Sequence, residues 1–251
     1  WELSHEAEYG RILDHLSAEA FRFYASHVGS ALESALHPGQ ALDSLFCDSW
    51  EVDPEGLWAE GFAGRFEQRF GYDIVPVMSH LDDDPRRRYD YRLLLAEYAM
   101  QGFYHPFVDY CRSQGRAARV QCHGAPVDLI RAYGLVDVPE SEAVLFDPEF
   151  SSFAASAALL SGRRSVSAEA FTCLYGWEAY PGPAPYEGQE QLGDLKLTAD
   201  ALFASGINHI VWHGMPFQGE GDRNCFYASV HVGPDSRSEE HTSELQSRIT
   251  I

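Results

Sequence analysis

A chain of 251 residues, 45% of them apolar, can bury one large core and holds no apolar run of membrane-spanning length. Its net charge of −20, from 38 acidic and 18 basic residues, argues against nucleic acid as a partner, because phosphate is repelled over most of the surface. Neutral sugars, small molecules and cations remain. The five cysteines, Cys47, Cys111, Cys122, Cys173 and Cys225, are scattered and lack a CxxC pair, which indicates neither a zinc knuckle nor a disulfide framework.

In chain order, residues 12–32 carry Ile12, Leu16, Ala20 and Phe23 near helical spacing. The run "LFCDSWE" (45–51) then reads as a short strand that ends in polar residues. Residues 56–71 set Trp58, Phe62, Phe66 and Phe70 four apart, as one face of a helix would. Residues 86–114 carry a broad stripe that includes Tyr91, Leu94, Leu95, Phe103 and Phe107, and Pro106 is expected to kink or break that helix. "ARVQCHG" (118–124) repeats the strand-then-polar pattern, and a further short strand is expected within "LVDVPESE" (135–142). A helix over 150–162 ends in a glycine, "SVSAEAFT" (165–172) is the next strand, and a helix over 194–208 ends near Gly206. "HIVWHGM" (209–215) closes the series, and "NCFYASVHVGP" (224–234) is β-prone beyond it.

Alternation of strands and helices predicts an α/β fold with a parallel sheet. Five β/α units are a partial (β/α)8 TIM-type barrel, which takes eight units in ~250 residues, so N-terminal strands are expected to be missing. A doubly wound sheet is the rival, but no GxGxxG follows any strand. The chain starts at Trp1, and "RSEEHTSELQSRITI" (237–251) lacks apolar periodicity and resembles translated sequencing-adapter text. Truncation at both ends is therefore expected, with 235–251 an artefactual or disordered tail. An unclosed barrel leaves strand edges unpaired, so the isolated chain is expected to be inactive or to fold poorly.

In such a barrel, side chains at the C-terminal ends of strands face the reaction mouth. Glu51, His123, Glu140 or Glu142, Glu169 and His213 all fall at predicted strand ends. Glu51 and Glu169 can divide acid and base work, as hydrolysis of a glycosidic bond requires. Trp50 beside Glu51 is expected to offer an apolar platform for a sugar. The competing reading makes both glutamates helix-terminal or surface charges. "DVPESE" (137–142) gathers Asp137, Glu140 and Glu142, hard oxygen ligands that in a loop suit calcium; a solvated acidic loop is the plainer reading. His123 and His213, each followed by glycine, suit hydrogen bonds to sugar hydroxyls or metal ligation, against a purely structural role. The Pro/Gly-rich run 171–188, with Trp177, suits stacking on a sugar or a hydrophobic cluster that pins a loop. No GxSxG motif supports a serine nucleophile.

"DSWE" (48–51), "HGAPVDLIRAYG" through "DVPESE" (123–142), "SAEAFT" (167–172) and "INHIVWHGMPF" (207–217), in that order, resemble glycoside hydrolase family 106. "RFGYDIVPVMSHL" (69–81) and "FYASVHVGP" (226–234) add to the likeness, which covers most of residues 10–234. The resemblance implies an inverting, calcium-dependent α-L-rhamnosidase on a (β/α)8 domain spanning 1–234. It implies Glu51 as general acid and Glu169 as base, with little to separate the two assignments, and a calcium ligand at Glu140 or Glu142. Asp48, Trp50, His123, Trp177, Trp212 and His213 become the expected substrate contacts, the substrate a rhamnoside, and the location periplasmic or secreted. Leu159 and Leu160 depart from the family, where a histidine or an aromatic residue is expected. Two alternatives are a non-catalytic carbohydrate-binding or degenerate barrel, and a zinc hydrolase using His123 and His213.

Overall fold

The computed structural model describes residues 13–52, 56–143, 149–172 and 192–213. Trp177, most of the aromatic run around it, the segment 224–234 and the 235–251 tail lie outside the described residues. Two compact units are distinguished, Trp1–Val138 and Pro139–Ile251.

In the first unit, helix α1 (Ala18–Ala35) starts at Ser17, whose hydroxyl accepts from Ala20 N. Its inner face buries Phe21, Ala25 and Gly29. Strand β1 (Ser44–Cys47) pairs in parallel with β2 (Ala117–Gln121), Cys47 opposite Val120. The long connection between them is helical. The phenylalanines spaced four apart do form a helix, α2 (Phe62–Phe70), in which Phe62 and Phe66 are fully buried and Phe62 packs its ring 5.5 Å from that of Tyr91 of α3 (Pro85–Ala99). Asp84 caps α3 by accepting from Arg86 N and Arg87 N, with Pro85 in the first turn, where its missing N–H costs nothing.

The break expected at Pro106 takes a specific form. A π-turn, Met100–Tyr104, joins α3 to α4 (His105–Ser113), and His105 N reaches back to Met100 O. Pro106 has no N–H for the ordinary helical ladder, and the wider turn just before it absorbs that loss. A seven-residue helix, α5 (Leu129–Leu135), capped by Asp128, then leads to β3 (Val138–Ala143).

The acidic "DVPESE" run is therefore not a loop. Asp137 acts as a latch onto β2: its carboxylate accepts from Ala118 N at 3.1 Å and from Arg112 at 3.0 Å, and its own N–H donates to Ala118 O. The residues after it form strand β3.

In the second unit, β3, β4 (Ser167–Ala170) and β5 (His209–Trp212) run parallel, with Glu140 opposite Ser167 and Ser167 opposite His209. Helices α6 (Ser152–Leu160) and α7 (Leu192–Ala204) form the connections. Asn208 ties the start of β5 to the entry of β4, accepting from Val166 N and donating to Arg164 O. Within each unit the strands lie in chain order, β1 beside β2 in the first and β3, β4 and β5 in the second. Parallel strands taken in sequence with helical crossovers are the architecture of a partial (β/α)8 barrel.

Candidate active site

The end of β1 is held by its backbone. Asp48 turns back on the chain and accepts from Ser49 N at 2.8 Å, and Trp50 N donates to His123 O at 3.0 Å. That contact needs a glycine. Gly124 has a φ of +78°, and a Cβ there would stand 2.1 Å from Trp50 O. The "His-Gly" spelling at the end of β2 thus serves close backbone approach.

Trp50 is not an open sugar platform. Its side chain is buried, with its ring 4.7 Å from that of His15 and near those of Phe103 and Tyr104, and Nε1 donates to Val52 O. An indole so enclosed anchors the segment and leaves the next residue, Glu51, exposed. Ser49 Oγ donates to Glu51 Oε1 at 3.4 Å. His123 Nδ1 lies 3.0 Å from the Tyr133 hydroxyl, which sets the orientation of its ring. Cys47, beside Asp48, is no nucleophile: burial first, then Asp48 and Cys111, push its thiol up to about 12.

The second unit assembles a row of carboxylates. In a parallel sheet, opposed residues project to the same face. Register therefore puts Glu140 with Ser167, and Glu142 with Glu169 and Val211, all on one side. Glu140 is fully buried and accepts from Ser167 Oγ at 2.5 Å. Glu142 is half-buried. Glu169 is 15% exposed, and its Oε1 lies 3.7 Å from Nδ1 of His213, the residue just beyond β5. His213 N donates to Ala170 O at 3.0 Å, which extends the ladder past the strand.

Phe171, two residues after Glu169, has a φ of +69°. A phenylalanine in that region costs about 1–3 kcal/mol, and such strain gathers at functional sites. Its buried ring packs 4.6 Å from that of Trp212, which is 39% exposed. The sequence reading missed Ser167 and Tyr133. The alternation E-S-E in β3 was the available signal for a shared face.

Glu142 and Glu169 offer hard oxygens of the kind calcium takes. Calcium fills a shell of about 6–8 oxygens. Among the described residues no group of three or more His, Cys, Asp or Glu gathers to hold an ion. Glu140 gives one oxygen to Ser167, and the half-buried Glu142 on the same face is the hard-oxygen donor that would suit a calcium ion. The same finding leaves zinc without a ligand set among the described residues.

A family model for glycoside hydrolase family 106, described as alpha-L-rhamnosidase, matches residues 4–225. The chain is 27% identical over 186 residues to a "Putative beta-glucuronidase" of Formosa agariphila, covering 70% of this chain and 15% of that protein. It also matches the structure of a rhamnosidase from Novosphingobium sp. PP1Y with a TM-score of 0.63 and 23% identity, covering 81% of this chain and 21% of that one. The structural likeness establishes a shared fold. The chain spans about a fifth or less of the length of these two relatives.

Proposed function

Because this chain belongs to glycoside hydrolase family 106, we propose that it carries the two carboxylates with which an α-L-rhamnosidase hydrolyses its substrate by inversion. Glu51 protonates the leaving oxygen, and Glu169 takes a proton from the attacking water. Inversion requires the two carboxyl groups to stand about 6.5–9.5 Å apart, with the water between sugar and base. The observation that carries this reading is the placement of Glu169: largely buried, at the end of β4, between a second carboxylate and an imidazole. A base in that setting is shielded from bulk water while keeping partners that orient it.

The relatives' names differ in the sugar. We take the neutral sugar, rhamnose, as the substrate, in keeping with the description of the family model that matches the chain. Calcium, with Glu142 as a ligand, would orient vicinal hydroxyls of the ring. The chain's own residues do the rest: Trp50 and Gly124 fix the backbone that presents Glu51, and Phe171 and Trp212 shape the exit from β4 and β5. No helix among the described residues is long and apolar enough to cross a membrane, and we assign the protein to the periplasm or the medium, where rhamnosides are met.

The test is release of aglycone from an aryl α-L-rhamnoside by the complete protein that carries this chain. Glu51→Gln and Glu169→Gln should each lower kcat by about 10²-fold or more. A folded wild type that binds rhamnose but releases nothing would instead establish a non-catalytic sugar-binding barrel.

A further inference from the structure

Glu169 has two register partners: Glu142 on β3, which only accepts when ionised, and Val211 on β5, which is apolar. Neither of these two side chains can donate a hydrogen bond to a carboxylate, whatever other contacts Glu169 makes. His213 can, and its Nδ1 faces Glu169 Oε1 at 3.7 Å while having no hydrogen-bond partner among the described residues. That gap is just beyond hydrogen-bond reach, and such contacts tighten when substrate fills an active site. The imidazole is itself held. Its backbone N–H donates to Ala170 O, directly after Glu169, and the preceding residue, Trp212, is packed on Phe171 in its strained conformation. A backbone held out of its ordinary range, at the point where the carboxylate and the imidazole meet, is an investment in geometry.

We infer that His213 is a positioning residue: its Nδ1–H holds the Glu169 carboxylate in the rotamer from which it works on the substrate. This differs from a direct sugar contact, which the strand-end position alone suggests. It rests on Glu169 being one of the two working carboxylates.

The experiment compares His213→Ala, His213→Asn and Glu169→Gln in the complete protein, with an aryl α-L-rhamnoside. Asparagine places an amide N–H where Nδ1 stood. His213→Ala should lower kcat about 10- to 100-fold with KM little changed, a loss usual for removal of an orienting partner, and His213→Asn should recover at least tenfold of a hundredfold loss. His213→Phe, which keeps a ring without a donor, replaces alanine in the comparison if circular dichroism shows that the alanine variant does not fold. A rise in KM with kcat intact, or asparagine as impaired as alanine, would overturn the inference. Should Glu169→Gln keep full activity, the assignment of Glu169 falls first. Should Glu169→Gln be inactive and His213→Ala fully active, only the role of His213 is lost.

Discussion

Glu142 and Glu169 stand opposite each other across β3 and β4, on the same face of the sheet. Neighbouring strands lie about 4.8 Å apart, and like charges directly opposed on a sheet destabilise it. A cation held by Glu142 would relieve that repulsion. Calcium at a hundred times its dissociation constant should therefore stabilise the fold by about 2.7 kcal/mol. Differential scanning calorimetry with calcium and with chelator reads this as a rise in Tm. Glu142→Gln should reduce the rise, and equal melting points in calcium and chelator would remove the ion from the account.

Gly124 and Gly64 should respond in opposite directions to the same change. At Gly124 a methyl group meets Trp50 O at 2.1 Å on a backbone with φ +78°, whereas at Gly64, inside α2, nothing lies within 4 Å. Gly124→Ala should cost at least about 2 kcal/mol, from left-handed strain plus overpacking. Gly64→Ala should gain about 0.5–1 kcal/mol from helix propensity and lost chain entropy. Urea denaturation measures both. A neutral Gly124→Ala would mean that the Trp50–His123 junction is not held as described.

His15 makes stability depend on pH in a definite direction. Burial, only partly offset by a hydrogen bond to the Leu13 backbone, lowers its pKa from the ordinary 6.5. The fold thus prefers neutral imidazole, packed against Trp50 and Phe103. A folded pKa below the unfolded one gives stability that is present above about pH 6.5 and is lost as pH falls through that value toward the folded pKa. The stability gap between wild type and His15→Gln should shrink between pH 7.5 and pH 5.5. A gap that stays constant would show that His15 is not desolvated in solution.

The five strands were legible because each is a short apolar or β-prone run bounded by turn residues or charge. The helix before Pro106 was legible for a similar local reason. Helix α5 was not, since its seven residues, "LIRAYGL", carry too few turns to show a period. Trp50 misled because what covers an indole is decided by His15, Phe103 and Tyr104, which are distant in sequence. Glu140 and Glu142 look alike as letters. Their difference in depth comes from Ser167, 27 residues further on, which meets only one of them through the register of β3 with β4. Local pattern carries the elements, whereas long-range register decides which carboxylates are sealed and which are open.

The central claim is that a water, activated by one glutamate, attacks the sugar from the side opposite the departing group. Proton NMR of the first minutes of hydrolysis of an aryl α-L-rhamnoside by the complete protein tests it most directly. The account predicts β-L-rhamnose as the first-formed anomer, with the α form appearing only as mutarotation proceeds. Early accumulation of α-L-rhamnose would indicate a covalent glycosyl intermediate and carboxylates about 5–5.5 Å apart, and would contradict the division of labour assigned here to Glu51 and Glu169.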